Sequence, residues 1–347
     1  MTHLNMTHPT SAARFVATTA AVLFLSACAS GAPAHPPMAS PVTGPTAPAE
    51  SMVAAVPEEG VDFVVYGSDG TVASLEALMS GLGDVEVLLL GEEHNDVVGH
   101  RLQLEIFRRV LADHGGRGPM ASPARAGSTP SGDDRSVVLS LEMFERDVQM
   151  VVDEYLNDLI TEDHFLLSSR PWDNYDRDYR PLVELARETG TDVVAANAPR
   201  RYVNRASRLG RSALESLSEE AQEWLPPLPY PQASTAYKAE WDALMGGAAM
   251  HGAGDPLDGQ TLWDASMGES IVRALERAEE DRPLVVHLAG GFHVQNGTGI
   301  PEAIEHYRPG TRQRLVSVRA VPDPERFVPE MAGAGDFVVL TRAPEGG

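Results

Sequence analysis

The chain has 347 residues, of which 27 are basic and 50 acidic, giving a formal net charge of -23 at pH 7. Phosphate binding relies on clustered Lys and Arg, so this charge argues against nucleic acid as a partner. Cys28 is the one cysteine of the sequence, so no disulfide can form within the chain.

The N-terminal segment has the pattern of an export signal. An apolar stretch from Phe15 to Leu25 leads into Ser26, Ala27 and Cys28, which predicts a signal peptide over residues 1–27. The small residues before the cysteine resemble a bacterial lipobox, in which the cysteine is acylated. An ordinary cleaved signal and an uncleaved helix are the alternatives. We expect a lipid-anchored protein of the bacterial cell envelope, at the outer membrane, with the lipid on Cys28 as its contact with the membrane.

Composition then divides the remaining chain. Residues 28–57 are rich in Ala, Pro, Ser, Thr and Gly without periodicity, which predicts a disordered tether. Residues 58–343 are predicted to form one domain, because no linker splits them. Inside this domain, residues 113–135 lack an apolar period and predict an exposed loop insertion. Residues 225–260 show no strong regular pattern and are compatible with a lid or a partner surface.

The first motif follows a predicted strand over Val61–Tyr66 and a short helix over Ser74–Met79. An apolar run stops at Gly91 and is followed by Glu92, Glu93 and His94. The run is too short to span a membrane and predicts a buried strand. Apolar residues then recur at helical spacing from Val98, which predicts a strand, a glycine turn and a helix.

Three later apolar runs also end in polar residues. They are residues 136–141 before Glu142, residues 191–196 before Asn197 and Arg200, and residues 283–289 before Gly290 and His293. Their alternation with helical stretches predicts an α/β fold, with a largely parallel or mixed central sheet flanked by helices and the motifs at the carboxyl ends of the strands. Such ends meet at one edge, where ligands bind. A single acid or histidine there is commonly a cap, but four such ends favour a shared polar site.

Two further groups leave their role open. Trp172, Tyr175 and Tyr179 have helical spacing, which suits either core packing or stacking on a flat ligand. Arg200 follows Pro199, a residue that can open a helix, and a helix N-terminus beside a guanidinium can bind an anion. A solvated basic face is the alternative for the arginines that follow.

Taken in order, these motifs carry a family resemblance. They are residues 89–94 with His100 and Gln103, residues 141–144, 172–175, 178–181, 196–200, 289–294 and 297–301. Together they resemble the ChaN family of bacterial haem-binding lipoproteins over about residues 58–343. The resemblance extends to a wider superfamily with erythromycin-esterase-like and Tiki-like proteins. The 113–135 insertion and the 225–260 segment depart from the family pattern.

The resemblance implies a surface lipoprotein that binds haem or a related metalloporphyrin, in haem or iron uptake, with a homodimer as an option. The candidate haem-binding residues are His94, His100, Tyr175, Tyr179, Arg200 and His293. A tyrosine or histidine would ligate the iron, aromatic rings would contact the porphyrin, and arginine would pair with the propionates.

The wider superfamily implies an alternative, a metal-dependent or general-base hydrolase. In it a Gly-Glu-x-His turn and a Gly-x-x-His turn build the site, which here gives Glu92, His94, Glu142 and His293 as catalytic residues. The same four side chains form an O and N ligand set suited to zinc, manganese or iron.

Overall fold

The computed structural model describes residues 55–114, 135–246, 254–277 and 282–344. The predicted signal peptide, Cys28, and most of the predicted tether and loop insertion lie outside these ranges. Within them, no helix combines the length and the apolar character that crossing a bilayer requires.

The described residues contain one seven-stranded mixed sheet. Its strands are β1 (Phe63–Gly67), β2 (Val87–Glu92), β3 (Val137–Glu145), β4 (Asp192–Asn197), β5 (Leu284–Gly290), β6 (Gln313–Val321) and β7 (Phe337–Arg342), in the order β1-β7-β6-β2-β5-β3-β4. Neighbouring strands run parallel, except that β1 is antiparallel to β7. The prediction of an α/β fold with a mixed central sheet flanked by helices is confirmed.

Ten α-helices lie within the described ranges. They are α1 (Leu75–Ser80), α2 (Val97–His114), α3 (Gln149–Leu156), α4 (Glu162–Ser169), α5 (Arg180–Thr189), α6 (Arg200–Leu209), α7 (Glu219–Gln222), α8 (Thr235–Leu244), α9 (Pro256–Arg277) and α10 (Ile300–Tyr307). Local signals explain several of the ends. The Ser74 side chain accepts the Ala77 N–H at the start of α1, and Gly190 adopts the left-handed conformation that ends α5.

The centre of the sheet brings the motifs together. All six residues of β2 are buried, as expected of a parallel strand covered on both sides. In the pairing of β2 with β5, Glu92 lies opposite Gly290, and in the pairing of β3 with β5, Leu141 lies opposite Leu288. The carboxyl ends of β2, β5 and β3 therefore lie side by side.

Side chains alternate between the two sides of the sheet along each strand, and this alternation determines whether Glu92 and Glu142 face α2 or α9. Leu88 and Leu90 of β2 join the core cluster that contains the buried residues of α2, whereas Leu89 joins the cluster that contains those of α9 and α10. Side chains two apart share a side of the sheet. Glu92 is in phase with Leu88 and Leu90 and lies on the α2 side. Glu142 alternates with Leu141 of the α2-side core and lies on the α9 side.

Candidate functional site

Glu92, the last residue of β2, is the centre of a hydrogen-bond network on the α2 side. Its side chain is buried and accepts a hydrogen bond from Gln103 Nε2 at 2.7 Å and another from the Tyr179 hydroxyl. His94 Nδ1 lies 3.0 Å from Glu92 Oε1. The carboxylate is thus held by three neighbours and in turn fixes the ring of His94.

His100 is buried behind this network. Its Nδ1 lies 2.9 Å from Gln103 Oε1, and its Nε2 lies 3.0 Å from the backbone carbonyl of His94. The carboxylates of Glu92 and Asp178 lie 3.7 and 3.8 Å from its ring nitrogens. His100 therefore supports the turn that carries His94 from inside the protein.

A second network, on the α9 side, is built around Glu142 of β3. Its Oε2 accepts the Gly290 N–H at 2.6 Å, and its Oε1 lies 3.5 Å from His293 Nε2. His293 Nδ1 lies 2.6 Å from Asp264 Oδ1 of α9, and the Tyr237 hydroxyl of α8 donates to the other Asp264 oxygen. The result is a continuous buried chain of acid, imidazole, acid and phenol.

His94 lies at the sheet edge between the two networks. A Cβ atom built on Gly290 would lie 3.0 Å from His94 Nε2 and 3.6 Å from Glu142 Oε2, so the imidazole and the second carboxylate flank the same glycine. The His94 side chain is 43% exposed, against 2% for His100 and 8% for His293. None of the described residues hydrogen-bonds to its Nε2, and His94 is the most exposed of the three histidines.

On the α9 side, the pKa values of Glu142 and His293 determine the charges of these two residues at neutral pH. Burial acts to raise the pKa of Glu142, but the facing His293 and the nearby His94 outweigh it and lower the pKa to about 2. Burial acts to lower the pKa of His293, but Glu142 and Asp264 raise it to about 10. At neutral pH the pair is a carboxylate facing an imidazolium.

On the α2 side too, burial and the neighbouring charged groups shift the pKa values of Glu92 and His94 in opposite directions. Burial acts to raise the pKa of Glu92, yet the hydrogen bond with His94 and the nearby His100 bring the pKa below its ordinary value. Burial acts to lower the pKa of His94, and Glu92 and Glu142 raise it instead. Glu92 is therefore ionised at neutral pH although it is buried.

The two candidate tyrosines lie in the core. Tyr175 and Tyr179 are each 2% exposed, and burial raises the pKa of both. Tyr175 packs against Phe144 and Phe165, and its hydroxyl has no hydrogen-bond partner among the described residues. Both phenols are buried in this structure, and iron ligation by one of them stays a prediction.

Three further candidates, Asn197, Arg200 and Trp172, differ in whether they contact the crevice, which is the region beyond the carboxyl ends of β2, β5 and β3. Asn197 accepts the Ala198 N–H and acts as a turn residue. Arg200 is exposed at the start of α6, and none of the described residues pairs with its guanidinium. Trp172 is partly exposed and meets the His94 ring edge-on at a centroid distance of 4.6 Å. Only Trp172 of the three contacts a residue of the two networks.

The predicted metal site is not supported. Among the described residues, no group of three or more His, Cys, Asp and Glu side chains could hold a metal ion. The physical reason is the alternation of the strands, which directs Glu92 towards α2 and Glu142 towards α9. Each carboxylate is already occupied by hydrogen bonds and by a histidine on its own side.

The sequence reasoning missed Asp264 and Tyr237. Asp264 is buried in α9, where Leu262 and Ala265 are also buried, and Tyr237 lies in a stretch without a strong pattern. An acid within the apolar stripe of a helix is a signal that could have identified Asp264, since an unpaired buried carboxylate is costly. Nothing comparable indicates Tyr237.

The fold and the crevice define a class of protein, an α/β domain with an acid and histidine site at the carboxyl edge of its sheet. Residues 78–304 match the family described as haem-binding uptake, Tiki superfamily, ChaN, and the chain belongs to this family. Comparison with curated protein sequences gives no match.

Solved structures with a similar fold include ChaN of Campylobacter jejuni, described as binding haem cofacially. It is 16% identical, with a TM-score of 0.58, over 82% of this chain and 99% of that one. The type III effector HopBA1 is 12% identical, with a TM-score of 0.38, over 80% of this chain and 94% of that one. A mutant of the erythromycin esterase EreC in its open conformation is 10% identical, with a TM-score of 0.40, over 81% and 83%. At such identities the likeness to ChaN shows the fold.

Proposed function

We propose that this domain binds haem or a related metalloporphyrin in the crevice and that His94 is the residue that ligates the iron. The observation that carries the proposal is the state of its imidazole: the side chain is 43% exposed, Nδ1 lies against buried Glu92, and Nε2 has no hydrogen-bond partner among the described residues. Membership of a haem-binding family supports the choice of ligand.

The arrangement suits a metal-ligating histidine. Such a residue commonly donates its other ring N–H to a carboxylate, which fixes the tautomer and makes the free nitrogen a better donor. A bound haem would supply the iron, and His94 Nε2 is the atom of this chain that would hold it. Trp172 is partly exposed and adds an aromatic surface beside His94. The exposed guanidinium of Arg200, which pairs with none of the described residues, would bind a propionate.

Titration of the purified chain with haem, followed by the Soret band, tests the proposal. We expect saturable binding, weakened at least about tenfold by His94→Ala, which is about 1.4 kcal/mol of binding free energy. His164→Ala is the matched control, because His164 is an exposed histidine in α4. Binding that is not saturable, or that is equal in the His94 variant and the control, would overturn the proposal.

The location of the protein, its biological role and its oligomeric state are also proposals. The lipobox-like sequence before Cys28 supports a lipid anchor in the bacterial envelope, at the outer membrane. The family description supports a role in haem or iron uptake. We further propose that the protein forms a homodimer, which light scattering with and without haem would test.

One observation favours the hydrolase alternative. Asp264 orients the His293 imidazole, as a carboxylate does in acid–base catalysis. Against this, Glu142 and Asp264 raise the pKa of His293 to about 10, so at neutral pH it is already protonated and cannot take a proton. We therefore propose haem binding in preference to hydrolysis. Hydrolysis of a chromogenic ester that His293→Ala abolishes would reverse this order.

A further inference from the structure

We propose that an arginine-lined cavity at the amino edge of the sheet binds a phosphate group, either as the free ion or as part of a small phosphomonoester. This edge is opposite to the crevice, so the inference is independent of the haem-binding function proposed above. The cavity has a volume of about 90 Å³. One water molecule needs roughly 10–15 Å³, so the space suits a small oxyanion. Four guanidinium groups line it, those of Arg135, Arg282, Arg308 and Arg312.

The four arginines come from segments that lead into parallel strands. Arg135 precedes β3, Arg282 precedes β5, and residues 308–312 lie between α10 and β6. Strands β2, β3, β5 and β6 run parallel to one another, so their amino ends lie at one edge of the sheet. The topology that brings acids and histidines together at the carboxyl edge therefore brings guanidinium groups together at the amino edge.

Arg135 is the buried arginine of this group, with 6% of its surface exposed. None of the ion pairs formed among the described residues includes it. Its guanidinium keeps its charge in the protein, and a buried charge is costly unless an opposite charge is close. An anion in the cavity would reduce this cost. The hydrogen-bond acceptors of Arg135 are backbone carbonyls, those of Leu82, Gly83, Val85, Arg282 and Pro283.

The acids that line the cavity do not balance its arginines. Glu86 pairs with Arg308 Nη1 at 2.8 Å and with Arg312 Nη1 at 3.4 Å, and Asp84 is the other lining acid. Arg282 is exposed, and its guanidinium pairs with none of the described residues. Four cations against two carboxylates leave an excess of two positive charges among the lining residues. In a chain with a net charge of -23, this is a local reversal of sign.

The arginines also lie close enough to repel one another. Burial, together with the nearby Arg282 and Arg312, lowers the pKa of Arg135. Like charges disfavour each other's charged form, and this effect is strongest for groups that share one site. An anion placed among the three guanidinium groups would replace their mutual repulsion with attraction.

The chemistry of the donors favours a phosphate group over a single carboxylate. A guanidinium presents its N–H groups as a planar fork, which matches two oxygens of a phosphate. Arg308 uses Nη1 on Glu86 and Thr311, whereas its Nη2 has no partner among the described residues. A phosphomonoester carries a charge of about -1.5 to -2 at pH 7, which balances the excess of two positive charges, and a carboxylate carries one charge only.

The test is isothermal titration calorimetry of the purified chain without haem, at constant ionic strength. Inorganic phosphate and glycerol 3-phosphate are the two probes, and they distinguish the free ion from a monoester. We expect saturable binding of at least one probe. Arg282→Gln should weaken it at least tenfold, which is about 1.4 kcal/mol. Arg282→Lys keeps the charge without the planar fork and should recover part of the affinity.

Arg312→Gln is a second variant that should weaken binding in the same way, and it decides the matter if the Arg282 variants do not fold. Arg326→Gln is the matched control, because Arg326 is an exposed arginine between β6 and β7 and the change in net charge is identical.

Two results would overturn the proposal. One is the absence of saturable binding in the parent, which is expected if the acidic residues 279–281, outside the described ranges, neutralise the cavity. The other is an equal affinity in the two glutamine variants of the cavity and in the Arg326 control. Haem titration of the same chain decides the function proposed above and has no bearing on either result.

Discussion

Gly290 lies directly against the imidazole of His94, with the position of its missing Cβ 3.0 Å from Nε2 and 3.1 Å from Cε1. The backbone of Gly290 has a φ of -52°, which any residue can adopt. The glycine is therefore required by space and not by backbone conformation. A side chain at this position would press on the nitrogen that we assign to the iron.

Gly290→Ala should weaken haem binding about tenfold, because the methyl group would displace the His94 ring or cover Nε2. Soret titration measures the effect. Gly291→Ala is the matched control, since a Cβ there would meet only Glu92 O, at an ordinary 3.5 Å. Equal affinities in the two variants would show that Nε2 does not face the ligand.

Two tyrosines in one short turn allow a paired test of the hydrogen bond that holds Glu92. Tyr179→Phe removes a donor to a buried carboxylate and should lower the free energy of unfolding by about 1.5–3 kcal/mol. Tyr175→Phe should change it by less than about 0.5 kcal/mol, because this hydroxyl has no hydrogen-bond partner among the described residues. Denaturant unfolding of both variants gives the comparison. A similar loss in both would mean that the Tyr179 hydroxyl contributes nothing specific.

The His293 site predicts how stability depends on pH. The folded state raises the pKa of His293 from 6.5 to about 10, so the folded form binds its proton more tightly than the unfolded chain does. This contribution is fully present below pH 6.5 and is lost as the pH rises through about 10. The Tm of the parent should therefore fall across this range.

His293→Gln is the comparison for that measurement. It leaves Glu142 and Asp264 without a cation and should cost about 3–5 kcal/mol at about pH 6.5, while its Tm changes less than that of the parent as the pH rises to about 10. Parallel curves of Tm against pH for the parent and the variant would contradict the assignment of a protonated His293.

Cys28→Ala should release the protein from membranes when it is expressed in a host that processes lipoproteins, since the acyl chains would no longer be attached. Fractionation followed by immunoblotting measures the distribution. Ser30→Ala, two residues further on, is the control and should stay with the membranes. Membrane association of the Cys28 variant at the level of the parent would rule out the lipobox interpretation.

Much of the fold could be predicted because apolar residues recur at different spacings in strands and in helices. The apolar run before Gly91 predicts β2, and the run from 283 to 289 predicts β5 to within one residue at each end. Glycine and polar residues at the strand ends place the candidate site at the carboxyl edge.

The division of the site between two sides of the sheet could not be predicted. It depends on register and strand order, and a shift of one residue would move Glu142 to the opposite side. The burial of Tyr175 and Tyr179 was equally hidden, since helical spacing does not say whether a side faces a ligand or the core. Asp264 comes from a helix far along the chain, and only the packing of α9 against the sheet brings it to His293.

The position of Glu92 and Glu142 on opposite sides of the sheet has a consequence for how the protein can change over evolutionary time. The backbone of β2, β5 and β3 separates the two hydrogen-bond networks, and His94 is joined to one by a hydrogen bond and to the other through space. The hydrogen-bond partners of Glu92, which are His94, Gln103 and Tyr179, all lie outside α8 and α9. A substitution of Asp264 or Tyr237 can therefore change the network of Glu142 while the hydrogen bonds that hold Glu92 and His94 are retained.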